Sequence, residues 1–203
     1  MPLTKVQVIS NALALLGKKP ILSLDGQGDL VVAAEQAFDF LYSASLAEVQ
    51  WRFACQIQPL SQIALPTPPA NLSNPVSVYY NYVYELPADF LKTVRVYPQN
   101  YQWELFENNK LYTNQAAPLY MEYVFAPLIV NVPNYFWKYF VYEIAAYLAL
   151  SSAQETQYYQ VLEAKRGIQF AIACAVDANN RPQTPIQSAP MITNRYVSTW
   201  IAG

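Results

Sequence analysis

The chain of 203 residues has no histidine, two cysteines and five glycines, and only 13% of it is charged. Each shortage removes a class of function. Without histidine the commonest general base and metal ligand is missing, so metal catalysis would have to rest on carboxylates alone. Cys55 and Cys174 stand far apart with no C-x-x-C. They read as small core hydrophobes in a reducing compartment, with a disulfide between them as the alternative. The glycines form no phosphate-cradling motif, because the G-Q-G of residues 26–28 is neither a strand-borne G-x-G-x-x-G nor followed by G-K-[ST]. That loop reads as a turn. Lys and Arg are scattered in a chain of net charge −2, so no basic stripe is present to neutralise a phosphate backbone. Acid pairs such as Glu35 with Asp39 and Glu104 with Glu107 have the spacing of a solvated helix face or strand rim, and no acid–base site is read from them.

What is abundant is apolar and aromatic surface. Hydrophobic residues make up 54% of the chain, with seventeen Tyr and four Trp, while the charged share is about half the usual one. A surface so poor in charge suits a subunit covered by neighbours, and Tyr and Trp are enriched at interfaces; an aromatic-rich core is the other reading. The apolar stretch 119–150 is broken by Pro127, Asn131, Pro133, Lys138 and Glu143, so no span of the ~20 apolar residues that cross a bilayer is present. The N-terminus, interrupted by Gln7, Ser10 and Asn11, is a poor signal peptide. The expectation is a soluble protein without a membrane partner.

Thr4 with Gln7 makes a capping box, and Val6, Ile9, Leu13 and Leu16 recur at helical spacing until Gly17 supplies a stop. Asp29 is expected to cap a second helix reaching about Gln50, with Ala34, Ala37, Leu41 and Ser45 facing inward and Glu35 and Asp39 outward. From Phe53 the pattern turns extended, with Pro59 suiting an edge strand. Residues 65–78 hold four prolines and read as a loop. LKTVRVY, QWELFE, KLYTN and LYMEYVF have strand composition, and Asn108–Asn109 suits a hairpin turn. Helix returns near Asn131 and Pro133, and Ser152 with Glu155 is a second capping box for a helix to about Asp177. On that helix Tyr158, Val161, Leu162, Ile168, Ile172 and Ala175 make one apolar stripe. The fold class expected is α+β, mainly α: a bundle of about four helices (4–17, 29–50, 132–151 and 153–177) with a small antiparallel β insertion at 53–125. Residues 1–177 form the domain, and 178–203 form an extended C-terminal arm, too apolar for a solvated tail.

The order NALALLG (11–17), ILSLD (21–25), WRFA (51–54), YELPADFLKTVRVY (84–97), LYMEYVF (119–125) and AAYLAL (145–150) resembles the tail tubular protein A family. These are head-to-tail adaptors of short-tailed, podovirus-type phages. The likeness covers roughly residues 4–177, and it is the order and separation of the motifs that carries it. It implies a structural virion protein, not an enzyme and without cofactor. Such a protein is assembled in the host cytoplasm as a dodecameric ring at the head–tail interface, between the portal and the tail nozzle, with DNA passing through a lumen that does not bind it. It also implies a helical bundle with a β insertion. Alternatives are a virion-associated cell-wall hydrolase and a different tail or baseplate assembly protein.

Within WRFA, Trp51 and Phe53 are expected to anchor the crossing from helices to β insertion. Arg52 is expected to point away, free to bond a carboxylate on an adjacent subunit. The arm departs from the resemblance. Its Arg181, Ile186, Met191, Ile192, Arg195, Tyr196 and Trp200 are the expected contacts with a partner, the portal first and the neighbouring subunit second.

Overall fold

A computed structural model describes residues 3–25, 28–65, 80–106, 110–151 and 156–180. Among them are four α-helices, α1 (Lys5–Leu15), α2 (Asp29–Glu48), α3 (Asn134–Ser151) and α4 (Thr156–Asn179). Seven strands lie between α2 and α3: β1 (Cys55–Pro59), β2 (Ser61–Ile63), β3 (Tyr82–Glu85), β4 (Phe90–Tyr97), β5 (Trp103–Phe106), β6 (Lys110–Thr113) and β7 (Tyr120–Phe125). The protein is a mixed α+β fold.

Local chemistry explains the ends of α1. The Thr4 side chain accepts from the Gln7 N–H and the Gln7 side chain returns the bond to Thr4. At the other end Gly17 has φ +69°, and Gly17 and Lys18 donate to the carbonyls of Ala14 and Leu13. This is the left-handed closure that glycine makes without strain. α2 begins otherwise than expected. Gly28 is its N-cap, with no side-chain capping bond, and its carbonyl receives the N–H of Val31 at 2.9 Å. Asp29 is the first helical residue, where its charge meets the positive end of the helix dipole.

α3 is the hub of the helices, touching α1, α2 and α4. Phe136, Trp137, Tyr139, Phe140, Ile144, Ala145, Ala146, Leu148 and Ala149 are all buried, so it is covered round most of its circumference. Phe38 and Tyr42 of α2 stack on Trp137 at 6.2 and 5.9 Å between ring centres. Lys5 reaches across from α1 to Glu35 and Asp39 of α2, at 3.0 and 2.8 Å. The two carboxylates expected to face solvent thus bracket a cation. Burial works against the Lys5 charge, but the bonds to Asp39 and Glu35 outweigh it and its pKa is raised.

The strands form two antiparallel sheets, in the orders β1-β7-β4 and β2-β3-β6-β5. β1 is an edge strand ending in Pro59, where a missing N–H is harmless. The chain passes between sheets at Leu60, whose N–H donates to the Leu119 carbonyl at 2.8 Å. Leu60, Leu86, Val96, Leu111, Leu119 and Met121 form a second core. β5 and β6 pair from Phe106↔Lys110 to Trp103↔Thr113 as a hairpin; its expected turn, Asn108–Asn109, lies outside the described residues, as do residues 66–79 and the Ser152–Glu155 box. β3 escapes sequence reading because its YVYE is short and joins a motif read whole.

α4 runs to Asn179, two residues past the expected end, so 178 and 179 belong to helix and not to the arm. The arm positions Arg181, Ile186, Met191, Ile192, Arg195, Tyr196 and Trp200 lie outside the described residues. The apolar stripe expected on α4 exists, but it is not the packed face. Leu162 is buried, whereas Tyr158, Val161, Ile168 and Ile172 are 64, 58, 55 and 49% exposed. The packed face carries Leu162, Phe170, Ala173, Cys174 and Asp177.

The packing sets a contrast between two substitutions. Trp51→Ala should destabilise the fold by about 3–5 kcal/mol, and Glu35→Ala by ~0.5 kcal/mol or less, as for a partly exposed ion pair. Chemical denaturation measures both, and equal small losses would contradict this core.

Candidate functional site

The most constrained local geometry is the turn that leaves α2. Val49 is extended, Trp51 N–H bonds the Val49 carbonyl at 3.0 Å, and Arg52–Ala54 form one turn of 3₁₀ helix. Trp51 is fully buried and its indole N–H donates to the Ser45 carbonyl at 2.9 Å. Its ring meets Phe136 and Tyr139 of α3 and Phe170 of α4 at 5.3, 6.2 and 6.1 Å. Phe53 is half-buried against Tyr135 and Phe136. One tryptophan therefore joins three helices just where the chain starts toward the sheets.

Sequence reasoning missed the group opposite. Asp177, near the end of α4, is 4% exposed. One carboxylate oxygen accepts the Arg52 backbone N–H at 2.8 Å, and the other accepts the Tyr135 hydroxyl at 2.6 Å. The carboxylate so links α4, the Trp51 turn and the first turn of α3. The only signal in the sequence was a single acid closing the apolar run FAIACAVD.

Arg52 has a partner within its own chain. Its Nη1 lies 3.9 Å from Oε1 of Glu122, in the middle of β7, and the Tyr97 hydroxyl donates to the other Glu122 oxygen at 3.2 Å. The Arg52 side chain remains 34% exposed. The two cysteines flank the same region and are free thiols. Burial, then Glu122, pushes the Cys55 thiol up, and burial, then Asp177, does the same to Cys174. A raised thiol pKa disfavours the thiolate, which is the nucleophilic form. Among the described residues no three of Cys, Asp and Glu are grouped to hold a metal ion, and no helix is long and apolar enough to cross a membrane.

A second polar cluster joins α3 to α4. Arg166 donates from Nη1 to Glu143 at 2.9 Å, and from Nε and Nη2 to Glu163 at 2.9 and 2.6 Å. Hydrogen bonding to Glu163, more than to Glu143, raises its pKa against the cost of burial. Next to it Tyr147 and Leu150 are exposed, and Tyr147 meets the exposed Phe40 of α2 at 6.4 Å. The bonds of Asp177 and Arg166 tie the helices together, and beside the Arg166 cluster Tyr147, Leu150 and Phe40 are exposed.

Removing the Asp177 carboxylate takes the acceptor from two partly buried donors, so Asp177→Ala should cost about 2–4 kcal/mol, measured by chemical denaturation. A second expectation concerns pH. Burial raises the phenols of Tyr42, Tyr135 and Tyr139, and burial followed by Asp89 pushes Tyr123 up to about 12. In the unfolded chain a phenol ionises near 10, so the unfolded state loses these protons first. Their contribution is complete below about pH 10 and is lost as pH rises through the folded values. The denaturation midpoint should fall between about pH 10 and 12, in step with phenolate absorbance; a midpoint flat to pH 12 would contradict the burial of these hydroxyls.

No family model matches the chain, and no curated protein matches it.

Proposed function

We propose that the chain is the subunit of a head-to-tail adaptor ring in a short-tailed phage, joining portal to tail nozzle and forming part of the channel through which DNA leaves. The reading rests on the order of sequence motifs. The observation that carries it further is the outer face of α4. Tyr158, Val161, Lys165, Ile168, Ile172 and Ala175 recur at alternating intervals of three and four and all face solvent. Lys165 is the one charge among them. A seam of this period fits a partner helix, and an apolar helix face left open on a folded subunit marks a site of association.

In this reading the four helices act as a bundle, and neighbouring copies meet head to tail through α4, a heterologous contact that closes a ring when the rotation fits. Twelve copies are proposed, by the family resemblance. In this reading Arg52, one-third exposed beside Glu122, shares a carboxylate with the next subunit. The arm, from Arg181 through Ile186, Met191, Ile192, Arg195 and Tyr196 to Trp200, reaches the portal. The low charge suits a lumen that conducts DNA without holding it. The protein works in the virion without cofactor or catalysis.

Native mass spectrometry of the purified protein, alone and with portal protein, tests the reading. The wild type should form a closed ring, twelvefold on portal, and Ile168→Asp with Ile172→Asp should leave a folded monomer of unchanged circular dichroism. A wild type that stays monomeric with portal present, or a ring indifferent to both substitutions, would overturn it.

A further inference from the structure

The stripe on the outer face of α4 does not by itself say what covers it, and a matching surface lies on the same chain. α2 also presents one side to solvent. Asp29, Ala33, Gln36, Phe40 and Ser43 recur at alternating intervals of four and three, and all are exposed. Val32 and Ala44 flank them and are exposed as well. Phe40, in the middle, is 65% exposed. With Tyr147, whose ring it meets, and with Leu150 beside Tyr147 on α3, it makes an exposed apolar patch of the kind that marks a site of association.

The two helix faces agree in period, length and charge. A three-four seam packs on another of the same period. At 1.5 Å per residue the α2 face, Asp29 to Ser43, runs about 21 Å and the α4 stripe, Tyr158 to Ala175, about 26 Å. α2 carries four acids, Asp29, Glu35, Asp39 and Glu48, and no base. Lys5 takes Glu35 and Asp39, which leaves Asp29 and Glu48, both exposed, near the ends of the helix. The α4 stripe has Lys165 as its one charge, while the neighbouring Arg166 and Glu163 bond each other. Two α4 stripes laid together would give neither Lys165 a counter-charge; α2 supplies one. The two faces are also different surfaces. α2 packs on Trp137 of α3 through Phe38 and Tyr42, and α4 packs on Tyr139 of α3 through Phe170 at 5.1 Å, so neither outer face covers the other. A contact between two different surfaces is heterologous, the kind that repeats from copy to copy.

We infer that the α4 stripe of one copy receives the outer face of α2 of a second copy, with Phe40 entering the stripe and Lys165 facing a carboxylate of α2. This rests on the reading of α4 as an assembly face, and it needs neither portal nor a closed ring.

The test mixes two variants of the full chain, Phe40→Asp and isotopically heavy Ile168→Asp, at a concentration where the wild type assembles, and reads the products by native mass spectrometry. Both positions are exposed, so circular dichroism and the denaturation midpoint should match the wild type. Alone, each variant should be a monomer. Mixed, they should give a one-to-one light–heavy dimer, because the first keeps its α4 stripe and the second keeps its α2 face; a single contact can form, so the complex stops at two chains. Adding Lys165→Glu to the Phe40→Asp variant should weaken that dimer severalfold. A mixed dimer from a chain whose wild type builds no closed ring keeps this contact and sinks the adaptor reading. Association of Phe40→Asp equal to the wild type, or a mixture without the mixed dimer, would overturn the assignment and leave the assembly role of α4 standing. A wild type that never associates would overturn both.

Discussion

The structure depends on one buried carboxylate. Asp177 accepts a backbone N–H from a residue 125 positions earlier and a hydroxyl from the first turn of α3. Both bonds are charge-assisted and partly buried, and a hydrogen bond to a charged group is stronger than one between neutral groups. The Arg52 amide it holds belongs to the turn that buries Trp51, and Trp51 touches both α3 and α4. Fixing that turn therefore fixes the direction in which the chain enters β1. Through Arg52 and Glu122 the same turn meets the middle of β7. This short segment, with a polar bond on one side and an aromatic cluster on the other, is one joint between helices and sheets; Lys92 of β4 also donates to the Ala47 carbonyl at the end of α2 at 3.0 Å, and Val124 of β7 lies in the helical core.

This arrangement leaves α4 with two apolar faces. The inner face combines hydrophobic contact with Arg166 and Asp177, whose bonds specify where the helix sits on α3. The outer face has no such polar guide and a strict three-four repeat.

Much of this was legible in the sequence. The Thr4–Gln7 box and Gly17 set the ends of α1, because caps are local chemistry. Ala34, Ala37, Leu41 and Ser45 are buried on α2 as their spacing required. The strands at 90–97, 103–106, 110–113 and 120–125 follow β-branched and aromatic composition. What could not be read was whatever depends on distant pairing. Asp29 looked like a cap, yet Gly28 occupies the cap and leaves Asp29 in the first turn. Arg52 looked unpartnered because Glu122 is far along the chain. On α4 periodicity revealed a stripe without saying which of two stripes meets the core, and the packed one was hidden because Arg166, Gln169 and Asp177 interrupt it. A polar residue in a packed face is recognisable only once its partner is known.

The central claim is that Asp177 makes helices and sheets one cooperative unit, and amide hydrogen exchange at Arg52 measures it directly. If the bond is in place, the Arg52 N–H can exchange only when the whole domain opens. Its opening free energy should then equal that of the slowest amides of α3 and β7, and fall with them as denaturant is added. Exchange at Arg52 that is orders of magnitude faster than at those amides and insensitive to denaturant would show the turn opening on its own, and would contradict the account.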